Sequence, residues 1–167
     1  MHYTDNHNII ILYQMKKRIL WVLSFFLVGM AFAREVNRNV TYHAETKTLV
    51  FTGGRFCNCF YLPLTGDLSG FKSLVIDCVR CESAFRVKIE YLDEEGEIQK
   101  KEYYQNAKID SGAVVKKINL TELNQSTALD NVESVSITSC EGAQTIVLNS
   151  VYLLGKDDKQ KIIEISE

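Results

Sequence analysis

Apolar and charged residues alternate strictly over residues 85–91, and this pattern restricts what the segment can form. The segment reads FRVKIEY, with an apolar or aromatic side chain at every second position and charged side chains between them. Because successive side chains of a β-strand point to opposite faces, the pattern predicts a strand with one face in a core and one in water. A turn sequence, residues 93–96, and a second candidate strand, residues 97–105, follow directly, so a β-hairpin is expected.

The two strands of this hairpin are expected to pair with Ile98 opposite Tyr91 if the loop is tight. That register turns Lys100 and Glu102 toward the apolar side, where the burial of two charged side chains would be unfavourable. We therefore expect either a bulge that shifts the register midway or a ribbon that overhangs the core.

The rest of the chain contains further short apolar segments separated by turn residues. Together with the hairpin they give about eight strands and no convincing long helix. This pattern predicts an all-β domain, an antiparallel two-sheet β-sandwich. The additional strands are expected at residues 48–53, 56–62, 73–79, 114–120, 132–139 and 145–154.

The start of the chain has the layout of a secretory signal peptide over residues 15–33, with cleavage expected between Ala33 and Arg34. A basic cluster precedes an apolar run that is shorter than the roughly twenty residues a spanning helix needs, so no stable membrane insertion is expected after cleavage. Residues 1–14 are interpreted as a non-native upstream extension. The β-sandwich domain is placed at residues 34–155, and residues 156–167 are expected to form a charged tail, either frayed or a short terminal helix.

The predicted mature chain offers little of the chemistry that enzymes use. Its only histidine is His43, so serine or cysteine catalysis assisted by histidine would depend on that single residue. Solvated strand faces and turns account for the carboxylates, and a non-enzymatic function is expected. The mature chain is mildly acidic, which disfavours nucleic acid as a partner because phosphate binding needs clustered positive charge.

Five cysteines, in the patterns CNC and CVRC with one more downstream, raise the question of a zinc site. The leader directs the domain to a compartment where disulfides persist, and the first two cysteines share one face of a strand rather than a tight turn, so no zinc is expected. Two alternatives stay open: one or two disulfides with a leftover buried thiol, or a reduced cluster packed in the core. The thiols are Cys57, Cys59, Cys78, Cys81 and Cys140.

The segment DLSGFKSLVID, residues 67–77, followed by FRVKIEYLDEEG, KKINLTEL, VESVSI and NSVYLL, resembles a galactose-binding-like jelly roll, over about residues 49–154. This family includes many carbohydrate-binding modules. The leader on a free-standing domain also resembles exported glycan-handling proteins of Gram-negative bacteria, which implies the periplasm, the cell surface or secretion. No cofactor is expected, although relatives often hold a structural calcium, to which Asp67 or residues 45–47 would contribute.

A sugar-binding surface is expected on the solvent face of the hairpin, with the ring of Tyr103 outside the core as a platform. Its predicted members are Tyr103, Arg86, Lys88, Glu90, Gln99 and Lys101. We therefore expect a non-catalytic, exported module that binds a polysaccharide or another glycan. The alternative is a periplasmic or surface protein-interaction domain that pairs through an exposed strand edge with a larger envelope protein.

Overall fold

The structure is a computed structural model of the full chain, and it describes residues 39–54, 58–106, 113–127 and 129–166. The described part forms a β-sandwich of two antiparallel sheets, which confirms the predicted fold class. Besides strands it contains a 3-10 helix, Ala44–Thr46, and one short α-helix, α1 (Leu120–Ser126). The strands are β1 (Val40–His43), β2 (Thr48–Thr52), β3 (Cys59–Leu62), β4 (Phe71–Cys81), β5 (Phe85–Leu92), β6 (Ile98–Gln105), β7 (Val114–Asn119), β8 (Val132–Ser139), β9 (Ala143–Gly155) and β10 (Gln160–Ile162).

One sheet has six strands and the other has four. The larger sheet follows the order β1-β2-β9-β4-β7, and β10 pairs with β9 beyond the end of β2. The smaller sheet follows the order β3-β8-β5-β6, so β6 lies at its edge. No helix in the described ranges is both long and apolar enough to cross a membrane.

The core lies between the sheets and confirms the alternation predicted for β5. Its side chains are buried at every second position, beginning with Phe85, which is 0% exposed, and ending with Tyr91. The larger sheet contributes Leu74, Ile76 and Ile146 to the same apolar cluster. Burial of these side chains supplies the main driving force that holds the sheets together.

The predicted register of the β5–β6 hairpin is wrong by one residue. Tyr91 pairs with Gln99 rather than with Ile98, because the connection is one residue longer than a tight loop. The amide of Gly96 donates to the carbonyl of Asp93 at 3.0 Å, and Gly96 has a φ of +79°, a conformation that glycine adopts without strain.

The shift exchanges the two faces of β6. Lys100 and Glu102 move to the solvent face, which removes the conflict that the tight register created. Gln99, Lys101 and Tyr103 move to the inner face, opposite Tyr91, Ile89 and Val87 respectively. Gln99 and Lys101 are nevertheless exposed, so this edge strand extends beyond the core. An overhanging ribbon was one of the two alternatives expected from the sequence.

Tyr103 is half-buried and packs against the core, whereas the sequence had placed its ring outside. We expect Tyr103→Ala to lower the free energy of unfolding by about 1 to 2 kcal/mol. Truncation removes the apolar contacts of a half-buried ring, which are worth less than those of a fully buried one. Tyr104→Ala, which removes the exposed neighbouring ring, is the control and is expected to change it by less than about 0.5 kcal/mol. Urea denaturation of the two variants measures the difference, and equal effects would contradict the register.

The chain also forms a short helix where a strand end was predicted. Leu120 begins α1 because the side chain of Asn119 accepts a hydrogen bond from the amide of Glu122 at 3.2 Å and caps the helix. Leu120 and Leu123 are both buried, three residues apart on one face of the helix. That spacing was the sequence signal for α1.

The tail is more ordered than the predicted frayed end or short helix. It forms β10, and the amide of Ile163 then donates to the carbonyl of Val151 at 2.8 Å. Ile163 is buried and Ile165 packs against the core just after β10, so the alternation of these isoleucines was the missed signal of a tail that docks on the sandwich. The predicted leader and extension, residues 1–33, lie outside the described residues.

Candidate functional site

The outer face of the four-stranded sheet carries three of the predicted site residues, Arg86, Lys88 and Glu90, and is here called the polar face. Strand β8 adds three small hydroxyl side chains, and strands β3 and β6 flank them with larger ones. Strand register places the following residues on it: Cys59, Tyr61, Arg86, Lys88, Glu90, Lys100, Glu102, Tyr104, Ser134, Ser136 and Thr138.

The charged groups of the polar face pair with one another. Lys88 Nζ lies 2.7 Å from Glu90 Oε1, and the hydroxyl of Ser134 donates to Glu90 Oε2 at 2.6 Å. Arg86 lies 3.3 Å from Glu102, whose carboxylate also accepts a hydrogen bond from the hydroxyl of Tyr104 at 3.2 Å. These contacts join β5 to β6 and β8 across the sheet.

The surroundings of the Lys88–Glu90 pair favour the charged form of both side chains. Burial opposes the charge of Lys88, yet its hydrogen bond to Glu90 and the negative charge there raise the pKa of Lys88 above its usual value. Burial likewise opposes the charge of Glu90, while hydrogen bonds from Lys88 and Ser134 hold its pKa below the usual range. The Lys88 side chain is only 17% exposed. A ligand on this face would have to break these ion pairs, although Arg86 Nε and Ser136 Oγ on the same face are buried without a hydrogen-bond partner among the described residues.

A second surface, here called the edge groove, lies at the edge of the sandwich and has a volume of about 710 Å³. Three parts of the chain build it: the end of the β5–β6 hairpin, the last turn of α1 and the segment that follows, and Ser69. This volume lies in the usual range for small-molecule sites. The lining residues are Ser69, Tyr91, Asp93, Glu94, Glu95, Gln99, Asn124, Gln125, Ser126, Thr127 and Asp130.

Tyr91 joins the edge groove to the core. Its side chain is 7% exposed and belongs to the apolar cluster, yet the residue also lines the groove. Tyr103 lies nearby, and burial together with the charges of Glu122 and Tyr91 raises the pKa of Tyr103.

Asp93 organises the hairpin side of the groove. Its Oδ1 accepts from the amides of Glu95 and Glu97 at 3.1 and 2.8 Å, and its Oδ2 accepts from Gln99 Nε2 at 2.8 Å. The hydrogen bonds from Gln99, Glu97 and Glu95 hold the pKa of Asp93 below its usual range. On the helix side, Asn124 Oδ1 accepts from the amide of Leu129 at 3.4 Å. One amide on each wall is therefore held in a fixed orientation.

The six predicted site residues do not come together on one surface. Arg86, Lys88 and Glu90 lie on the polar face, and Gln99 lines the edge groove. Tyr103 is half-buried on the inner face, and Lys101 is exposed on that face without lining the groove. Sequence reasoning missed the other lining residues, although a tyrosine at the last buried position of β5 and the polar run NQST, residues 124–127, were available signals.

The four described cysteines, Cys59, Cys78, Cys81 and Cys140, are free thiols, and Cys57 lies outside the described residues. Cys78 is a core residue, as the alternation in its strand predicts. Cys81 is also buried and donates to the carbonyl of Ser83 at 2.7 Å. Cys59 Sγ lies 3.3 Å from the hydroxyl of Thr138. The described thiols are therefore reduced, but only Cys78 and Cys81 lie in the core, and Cys140 is exposed, so they do not form one core cluster.

We expect iodoacetamide to label Cys140 in the native protein and Cys78 only after denaturation. Cys140 is exposed, whereas burial, followed by the charges of Cys81 and Asp77, raises the pKa of Cys78 to about 12. Because the thiolate is the reactive form, Cys78 is protected both by its burial and by its raised pKa, which keeps the thiol protonated. Peptide mass mapping of a labelling time course measures the order. Equal labelling rates would contradict this placement.

The residues suggested for calcium do not form a cluster. Asp67 Oδ1 accepts from the amide of Ser69 at 2.8 Å, within a turn, and Glu45 and Lys47 are exposed around the 3-10 helix. Over the described ranges, no group of three or more His, Cys, Asp or Glu side chains is arranged to hold a metal ion. A structural calcium stays a prediction of the resemblance.

The chain has also been compared with known proteins. Neither models of protein families nor curated protein sequences give a match to it.

Proposed function

We propose that the protein is a non-catalytic glycan-binding module and that the edge groove is its binding site. The observation that carries the proposal is the groove itself, a cavity of about 710 Å³ whose lining combines amide, hydroxyl and carboxylate side chains with Tyr91. The jelly-roll, galactose-binding-like resemblance of the sequence supports the same function. The signal peptide predicted at residues 15–33 supports export of the protein to the periplasm or cell surface.

The lining of the groove has the chemistry that sugars need. Amides from Gln99, Asn124 and Gln125 combine donors with acceptors, and hydroxyls and carboxylates supplement them. A sugar presents several hydroxyls that both donate and accept, so a mixed set satisfies more of them than a surface of one type. The fixed orientation of Gln99 and Asn124 reduces the entropy that binding costs.

One feature favours binding over hydrolysis. Glycoside hydrolases need a general acid with a raised pKa, whereas the pKa of Asp93, the best ordered carboxyl of the groove, is lowered.

The affinity is expected to be modest, because the site offers a single, mostly buried aromatic ring and stacking contributes little. We expect dissociation constants in the micromolar to millimolar range, roughly 4 to 8 kcal/mol of binding free energy.

A glycan array tests this function with two matched variants. Tyr91→Phe and Tyr104→Phe each remove one tyrosine hydroxyl from the same hairpin, one at the edge groove and one on the polar face. We expect Tyr91→Phe to weaken binding by about 0.5 to 1.5 kcal/mol, the usual net value of one hydrogen bond, and Tyr104→Phe to leave it unchanged. Binding that depends on Tyr104 instead would move the site to the polar face.

The alternative function is protein interaction through the edge of the small sheet. Strand β6 pairs only with β5 among the described strands, and Ile98 and Tyr104 expose large apolar surfaces on it. Such an edge can accept a strand from a partner. Lys116, which donates to the carbonyl of Tyr104 at 2.7 Å, blocks part of that edge. No binding across plant, host-mucin and bacterial glycans would favour this alternative.

A further inference from the structure

We infer that the polar face binds a tetrahedral oxoanion, a sulfate or phosphate group, where Arg86 and Lys88 of β5 adjoin Ser136 of β8. This inference goes beyond the proposed glycan binding and does not depend on it, because it concerns a different surface and a different ligand chemistry. It rests on two buried polar atoms for which the described part of the chain supplies no partner.

These two atoms are Arg86 Nε and Ser136 Oγ, and neither has a hydrogen-bond partner among the described residues. Ser136 is 0% exposed, although strand register places it on the outer face of the sheet, between Lys88 on one side and Tyr61 on the other. Buried polar atoms are normally paired, because leaving one unpaired is costly. Two such atoms on neighbouring strands point to a group that a ligand supplies.

The donors of this region converge on one position. Arg86 contacts Glu102 through Nη1, at 3.3 Å, which leaves the Nε–H without a partner in the described ranges. Lys88 lies two residues further along β5, on the same face, and directly beside Ser136 in the register. A guanidinium edge, an ammonium and a hydroxyl therefore adjoin one another. Arginine holds its donors in a fixed fork that matches the oxygens of sulfate and phosphate.

Charge decides which class of ligand fits here. A ligand that contacts Arg86 and Lys88 competes with Glu102 and Glu90 for them, and a neutral ligand would leave both cations without a counter-charge. An oxoanion replaces that charge. The polar face as defined above also has more cations than anions, since Lys100 is a third cation, although the whole chain has a formal net charge of −2.

Both carboxylates keep another partner when an anion displaces them. Glu90 Oε2 accepts a hydrogen bond from the Ser134 hydroxyl at 2.6 Å. Glu102 accepts a hydrogen bond from the Tyr104 hydroxyl at 3.2 Å and lies 3.9 Å from Lys100 Nζ. Displacement therefore exchanges partners within the network and leaves neither carboxylate isolated.

Binding requires a change of side-chain conformation, because Arg86 Nε and Ser136 Oγ are shielded from solvent. The side chains of Arg86 and Lys88 are 34% and 17% exposed, and rotamer changes at binding surfaces are common even where the backbone is fixed. This rearrangement and the competing carboxylates weaken binding, so we expect a dissociation constant of about 1 to 10 mM.

The Nε–H group of Arg86 is itself the reporter for the test. Its signal in ¹H–¹⁵N correlation spectra is assigned with Arg86→Lys, which keeps the charge and removes the group. The protein is titrated with sodium sulfate or sodium phosphate, and with sodium chloride at the same ionic strength. We expect sulfate and phosphate to give a saturable shift and chloride to give none. The Nε–H signal of Arg80, whose exposed side chain pairs with Glu82 at 3.0 Å, is expected not to saturate.

Variants separate binding from structural damage. Ser136→Ala is expected to weaken sulfate binding by about three- to tenfold without lowering the free energy of unfolding, because the hydroxyl that it removes has no partner in the described structure. Arg86→Lys should weaken binding by about tenfold or more, measured through the backbone amides of β5, whereas Arg80→Lys should change it by less than about twofold. A variant that merely damaged the sheet would lose stability together with binding.

Glucose 6-sulfate and glucose 6-phosphate, with glucose as the neutral control, identify the source of the oxoanion. Esters that bind more tightly than the free ions indicate an anionic group carried by a sugar, and equal affinities indicate the free ion. The absence of a saturable shift with all four anions, or shifts that Arg86→Lys and Ser136→Ala leave unchanged, would overturn the inference. Neither result affects glycan binding at the edge groove, which the array measures separately.

Discussion

Replacing Phe85 with alanine is expected to lower the free energy of unfolding by about 3 to 5 kcal/mol. Phe85 is 0% exposed and is the first of the inward residues of β5, where the chain enters the smaller sheet. Truncating the ring removes its apolar burial and leaves a cavity that the surrounding strands fill only in part. This is a large share of the total stability of a domain of this size.

Urea denaturation followed by circular dichroism measures the loss. Ile98→Ala is the matched control, because Ile98 is an apolar residue of the same hairpin that is 55% exposed. It is expected to change the unfolding free energy by less than about 0.5 kcal/mol. Similar losses in the two variants would contradict the assignment of the faces of the hairpin.

Replacing Gln144 with leucine is expected to lower the free energy of unfolding by about 2 to 4 kcal/mol, which is the second of the two largest effects. Gln144 is a buried polar residue on the inner side of β9. Its Oε1 accepts from the amide of Ser83 at 3.2 Å, and its Nε2 donates to the carbonyl of Ala84 at 3.1 Å. These two backbone groups belong to the short link from β4 in one sheet to β5 in the other, and leucine leaves both without their partner.

The same denaturation experiment, with Gln160→Leu as the control, tests this role. Gln160 undergoes the same chemical change at an exposed position of β10 and is expected to be nearly neutral. If Gln144→Leu is as mild as Gln160→Leu, the link between the sheets does not depend on the glutamine.

The sequence predicted the elements that depend on local pattern. Alternation in β5 identified its buried face, because side-chain direction in a strand follows from position alone. The register of β6 was not predictable in the same way. It depends on the five-residue loop in which Gly96 adopts a positive φ, and a change of one residue there reverses the face of every later side chain.

The edge groove could not be predicted from the sequence for a different reason. It combines Ser69, the hairpin end and the segment after α1, which are far apart in sequence and meet only when the two sheets pack. Gln99 was predicted as a site residue, but on the hairpin's solvent face rather than in a groove. The helix whose last turn forms one wall was itself missed, so its polar residues had no assigned position.

The most direct test of the account is to map where a saccharide binds. Nuclear magnetic resonance of ¹⁵N-labelled protein, titrated with a saccharide that binds on the glycan array, reports on each backbone amide. We predict that the shifts concentrate in residues 93–99 and 124–130, and that Arg86, Lys88 and Tyr104 on the polar face do not respond. Shifts centred on those three residues, with the hairpin tip and the end of α1 unchanged, would contradict the assignment of the edge groove as the binding site.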